Sequence, residues 1–114
     1  MRFYHGTYES FLRYSSSGGK SDEKDMLFAS QSIGIANRYG KNVFSVEVTR
    51  KLSELPRITV MDWLTMEPIP DGTFIIEPDK SNDDFSAPTL VVRCAEDVRI
   101  GDKPVLVSET SYYF

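Results

Sequence analysis

Residues 27–40 read Leu-Phe-Ala-Ser-Gln-Ser-Ile-Gly-Ile-Ala-Asn-Arg-Tyr-Gly. The opening of this stretch belongs to a short apolar strand over residues 26–29. Ser30 then stands where a helix N-cap belongs, because its hydroxyl can accept from an amide left unpaired in the first helical turn. Ile33, Ala36 and Tyr39 recur at helical spacing beyond it, and Gly40 occupies the C-cap position. Gly34 weakens that helix modestly. A strand edge followed by a short helix brings an aromatic ring and a hydroxyl towards one spot. Taken alone, that arrangement is ordinary core packing.

Upstream, residues 2–5 predict a short strand ended by Gly6, and residues 9–14 predict one or two helical turns presenting Phe11, Leu12 and Tyr14. Residues 15–25 are rich in serine, glycine and charge, which is loop composition. Downstream, Phe44, Val46 and Val48 alternate with Ser45, Glu47 and Thr49, the pattern of a half-buried strand. All six prolines follow residue 55, so the second half predicts short strands separated by turns. Those strands fall at residues 58–63, 73–76, 89–93, 98–100, 105–107 and 112–114. Pro68-Ile69-Pro70-Asp71-Gly72 supplies a turn and residues 78–88 a polar loop. The 114 residues thus predict a single α+β domain, rich in strands, with one or two short helices.

Composition narrows the function classes. Seventeen acids against 13 bases give a net charge of −4, the wrong sign for a chain whose task is gripping phosphate backbones. Nucleic acid is therefore an unlikely partner, and a basic protein fits better. No run of about 18 apolar residues predicts a membrane span. The first residues, Met1-Arg2-Phe3-Tyr4-His5, lack the apolar core of a signal peptide, so a cytoplasmic location is expected. One cysteine, Cys94, rules out an internal disulfide framework, and with one histidine it also rules out the usual zinc sites. Cys94 follows an apolar strand and reads as a small buried thiol, and Glu47 as the wet face of a sheet.

Two motifs imitate ligand sites. Ser17-Gly18-Gly19-Lys20-Ser21 imitates a nucleotide P-loop, but Tyr14 stands where the motif's first glycine belongs. Asp79, Ser81 and Asp83 imitate a calcium loop, but Asp84 and Leu90 replace its glycine and its last ligand.

The sole histidine directly precedes Gly6 and Thr7, where glycine lets a ligand approach the backbone and imidazole can bond a sugar hydroxyl. Tyr4-His5-Gly6-Thr7 followed by Leu27-Phe28-Ala29 and Arg38-Tyr39-Gly40 resembles the first two motifs of the ADP-ribosyltransferase superfamily. More narrowly it resembles the His–Tyr–acid branch, the poly(ADP-ribose) polymerase and diphtheria-toxin type. The string His5-Gly6-Thr7-Tyr8-Glu9 is also similar to the opening of small phage anti-CRISPR ADP-ribosyltransferases. The resemblance implies a compact ADP-ribosyltransferase-like split β-sheet core. It also implies mono-ADP-ribosylation of a protein target with NAD as the substrate, in a host cytoplasm if the chain is a phage effector. No membrane partner is implied. A catalytically degenerate relative that binds NAD, ADP-ribose or a protein without transfer is the alternative.

Carried over residue by residue, the resemblance gives His5 a ribose hydroxyl, the Gly6 backbone the nicotinamide carboxamide, Thr7 support of the turn, and Tyr39 the nicotinamide ring. It also asks for a carboxylate to stabilise an oxocarbenium-like state. The usual glutamate position is Thr89 here, and the spacing of the small phage enzymes gives Asp84 instead, with Asp83, Glu77 and Asp79 as alternatives. The family's hydroxyl before the tyrosine is Ala36, leaving Ser30 or Ser32 to substitute. Its second stacking aromatic is Leu27, leaving Phe28 or Tyr8.

Overall fold

The computed structural model describes residues 2–14, 26–65 and 69–107. The strands are β1 (Arg2–Thr7), β2 (Leu27–Ser30), β3 (Asn42–Val48), β4 (Arg57–Ile58), β5 (Phe74–Ile76), β6 (Thr89–Val92), β7 (Val98–Ile100) and β8 (Leu106–Val107). Two short helices, α1 (Ile33–Asn37) and α2 (Val60–Thr65), join them. All eight strands form one mixed sheet in the order β4-β5-β6-β2-β1-β3-β7, with β8 also paired to β3. Every pairing is antiparallel except β4 with β5. The α+β class therefore stands. Among the described residues no helix is long and apolar enough to cross a membrane.

Strands β5 and β6 lie inside the sheet, and their near-continuous apolar sequences are buried on both faces. Two cores result. On one face Phe3, Val46, Ala29, Leu90 and Ile75 pack together. On the other, Phe74, Ile76 and Val91 meet Val60 and Trp63 of α2. The Trp63 ring stands edge-on to Phe28 at 5.5 Å and tilted to Phe74 at 6.3 Å, so α2 is fastened by aromatic contacts.

The two halves of the sheet meet weakly. Six register pairs join β1 to β3 and four join β2 to β6, but only Tyr4↔Ser30 joins β1 to β2. Beyond that pair the halves share the first core, where Phe3 and Val46 meet Ala29, Leu90 and Ile75, and α1 presses its backbone against the end of β1. A Cβ on Gly6 would lie 1.8 Å from the Ala36 carbonyl oxygen, and one on Gly40 would lie 2.2 Å from the Thr7 carbonyl carbon. Only glycine permits either approach.

Several expectations are corrected. Strand β1 runs through Gly6, which pairs with Val43, instead of ending there. Residues 9–14 are not helical. The Thr7 hydroxyl accepts the Glu9 amide at 3.2 Å and Asn42 Nδ2 donates to the Glu9 carbonyl at 2.7 Å, which holds the chain in a bend. Leu12 and Tyr14 still pack on the first core, and the Tyr14 hydroxyl donates to the Val92 carbonyl at 2.8 Å. The N-cap of α1 is Ser32, whose hydroxyl accepts the Ile35 amide, whereas Ser30 accepts the Ser32 amide one step earlier. The helix ends at Asn37, so Tyr39 lies beyond it, and its buried residues are Ile35 and Ala36.

The strand expected over residues 58–63 is two residues of β4 followed by α2. Thr59 and Asp62 explain the switch, because each side chain accepts the other's backbone amide at 3.1 Å in a reciprocal helix-starting box. Cys94 is half-buried, not sequestered. Glu47 pairs with Arg2 at 3.3 Å, both about half exposed, as a wet sheet face would have it. The Ser17–Ser21 motif, Pro68 and the strand expected at 112–114 lie outside the described residues.

The glycine contacts give a direct test. Gly6→Ala forces backbone against backbone and should cost roughly 2–3 kcal/mol, lowering Tm by about 10 °C. Gly34→Ala meets only the Ser32 hydroxyl, at an ordinary 3.7 Å, and should hold or raise Tm, because alanine favours a helix over glycine. Paired thermal melts of the two variants check both outcomes.

Candidate functional site

Where β1 and β2 part, the sheet leaves a cavity of about 320 Å3. Its walls come from the end of β1, from β2, from α1 and the turn after it, from α2, and from the 3₁₀ turn Asp83–Phe85. The wall is largely aromatic, contributed by Tyr4, Phe28, Tyr39, Trp63 and Phe85. Four polar side chains interrupt it: His5, Ser30, Asp84 and Thr89.

His5 is set by the parting of the strands. Continuing the antiparallel register past Tyr4↔Ser30 would bring Gly6 opposite Phe28, but the ladder stops and the imidazole takes the Phe28 carbonyl instead. His5 Nδ1 lies 2.6 Å from that oxygen. A carbonyl can only accept, so Nδ1 carries the proton. Burial is the larger influence on this ring and lowers its pKa below 6.5, against the weaker opposite pull of the Phe28 hydrogen bond. The imidazole is therefore neutral at neutral pH, and Nε2 is left as a hydrogen-bond acceptor.

Tyr39 and Asp84 meet from opposite sides. The turn after α1 delivers Tyr39, braced where Asn37 Nδ2 donates to the Gly40 carbonyl at 3.1 Å. Asp84 is placed by Asn82, whose side chain accepts the Asp84 amide at 3.1 Å and so caps the 3₁₀ turn. Both side chains line the cavity, where the Asp84 carboxylate acts on the Tyr39 hydroxyl. Desolvation, then the negative charge and hydrogen bond of Asp84, raise the Tyr39 pKa, and Arg38 opposes them. Arg38 itself lies 3.7 Å from Asp84, a half-exposed pair that contributes little to stability.

Of the residues singled out from sequence, the cavity gathers His5, Gly6, Phe28, Ser30, Tyr39, Asp84 and Thr89. Thr7 stays outside it and supports the turn by accepting the Glu9 amide. Ser32 is outside as well, spent on capping α1. Phe28, not Tyr8, supplies the additional ring, since Tyr8 is 66% exposed and does not line the cavity. Among the four acids Asp84 alone reaches the cavity. Asp83 and Glu77 are exposed, and Asp79 accepts both the amide and the hydroxyl of Ser81, bonds that lower its pKa.

Tyr4, Trp63 and Phe85 were not anticipated at the site. Trp63 was within reach of the sequence: Thr59 and Asp62 form a helix-starting box, and Val60 and Trp63 then share one helical face. No family model, curated protein or solved structure matches the chain.

The buried neutral histidine has a consequence for stability. Between its lowered folded pKa and 6.5 the unfolded chain binds more protons than the folded one, so stability rises with pH through that window. Denaturation free energy should thus be flat for this group above about pH 7 and fall as the pH drops from there to the lowered folded pKa. His5→Gln, which keeps a donor for the Phe28 carbonyl but does not titrate, should lose less stability over the same acid step. Equal losses in the two chains would contradict the buried neutral ring.

Proposed function

We propose that this chain is a mono-ADP-ribosyltransferase that moves ADP-ribose from NAD to a side chain of a protein target. One observation carries the reading: His5, Tyr39 and Asp84, far apart in sequence, converge on a single aromatic-walled cavity. The lining suits the group it would hold. Rings on several sides offer stacking surface for a flat pyridinium, whose positive charge an aromatic face and the Asp84 carboxylate both favour. A volume of about 320 Å3 lies at the small end of ligand cavities, which suits the nicotinamide–ribose half of the dinucleotide.

The chemistry asked of the residues is limited. NAD brings a glycosidic bond whose electron pair leaves with neutral nicotinamide. Asp84, at the exposed edge of the cavity, supplies negative charge beside the ribose carbon as it becomes cationic. Nε2 of His5 accepts from a ribose hydroxyl and fixes the sugar. Tyr39 orients the nicotinamide ring from the cavity wall. The Gly6 backbone borders the same space and is the group that would meet the carboxamide of the nicotinamide. A basic target protein suits the net charge of −4.

A second reading, binding of NAD or ADP-ribose without transfer, is favoured by one contact: Asp84 is engaged by Arg38 as well as by Tyr39. Two measurements separate the readings. Millimolar NAD should raise Tm by several degrees through mass action, and His5→Ala should remove that rise. Asp84→Asn should keep most of the rise while transfer of labelled ADP-ribose to lysate protein falls at least about 100-fold. A wild-type shift with no labelled product selects the binder, and no shift at all overturns both.

A further inference from the structure

Thr89 opens β6 with its side chain in the cavity wall, and it is 6% exposed. Its hydroxyl is buried and has no hydrogen-bond partner among the described residues. The other buried hydroxyl and amide side chains are engaged: Ser30 accepts the Ser32 amide, Thr73 accepts the Arg93 amide, and Asn42 donates to the Glu9 carbonyl. Folding alone would be served as well or better by valine, which has the same shape without the hydroxyl. Val91, two residues along on the same face, shows that β6 accepts one there.

Register explains what such a hydroxyl can do. Thr89 stands directly across from Ser30, and Ser30 across from Tyr4, so the three form one row across the sheet. Side chains directly opposite in antiparallel strands lie about 5 Å apart. The Ser30 oxygen already accepts one bond, which leaves its proton to donate. Thr89 can both donate and accept, and His5, which enters the same cavity where β1 and β2 part, adds Nε2 as an acceptor. This mixed set matches hydroxyl groups, which also do both. It does not match phosphate, since the cavity wall holds a carboxylate and no lysine or arginine.

We propose that the Thr89 hydroxyl is a ligand-binding group and that, with Ser30 and His5, it forms a pole recognising neighbouring sugar hydroxyls, those of a ribose. The phosphates of the same ligand stay outside the cavity. This inference rests on the reading of the cavity as a NAD site, and it adds a neutral hydroxyl to the groups already placed there.

The test compares the wild type with Thr89→Val and Thr89→Ser, measuring Tm without ligand and affinity for NAD, ADP-ribose and nicotinamide by calorimetry. Thr89→Val should melt no lower than the wild type, yet bind NAD and ADP-ribose roughly ten-fold more weakly. Its affinity for nicotinamide, which has no sugar, should not change. Thr89→Ser should recover most of the lost affinity. A lower Tm in Thr89→Val that Thr89→Ser restores would reveal a structural hydrogen bond and overturn the proposal. Undiminished NAD binding by Thr89→Val would overturn it while leaving the NAD site standing. Failure of the wild type to bind either nucleotide would overturn both.

Discussion

The site depends on a contact between two pieces of backbone. Gly6 on β1 lies beneath the Ala36 carbonyl, and Gly40 lies against Thr7, so strand and helix touch with no side chain between them. Helix α1 has five residues, too few to persist alone, and is held by its Ser32 cap and by this contact. Because the chain is pinned at Ala36 and again at Gly40, the residues between have little freedom. Arg38 and Tyr39 fall in that interval and are carried to the end of the strand that bears His5. A short helix can position a ring of the cavity wall in this way only when it is locked at both ends.

The same contact replaces the ladder that β1 and β2 do not form. With one register pair between them, the strands part and expose the Phe28 carbonyl, which His5 takes. The gap is both the cavity and the reason the histidine is neutral, since the aromatic walls that exclude water also disfavour its charged form. Asp84 reaches this space from a loop and Thr89 from a strand, so the negative charge sits at the more exposed edge and the neutral hydroxyl at the buried one. That division puts the charged group where water and Arg38 can still solvate it, avoiding the cost of burying an unpaired carboxylate.

Much of this was legible in the sequence, for identifiable reasons. Strand β3 announced itself because one face is drier than the other, and period-two alternation reports that difference directly. His5, Tyr39 and Asp84 were readable as a set only through the resemblance of the motifs to a known family, which left Asp83, Glu77 and Asp79 as alternatives to Asp84, since no local pattern shows that three distant residues meet. The helical reading of residues 9–14 failed because side chains of Thr7 and Asn42, outside the segment, claim its backbone. The strand reading of 58–63 failed because β-rich composition outweighed a two-residue capping signal. Ser30 and Ser32 are both plausible caps by type, and only the backbone geometry selects the second. The orphaned hydroxyl of Thr89 could not be foreseen, because burial without a partner is a property of the packed state.

His5 is the only histidine in the chain, so its ring nitrogens can be followed without assignment ambiguity. The most direct measurement is nitrogen NMR of that ring at neutral pH during titration with ADP-ribose. The account predicts a neutral ring protonated at Nδ1, with the bare Nε2 resonance moving as the sugar hydroxyl bonds to it. A proton found on Nε2, or an Nε2 resonance indifferent to saturating ADP-ribose, would contradict it.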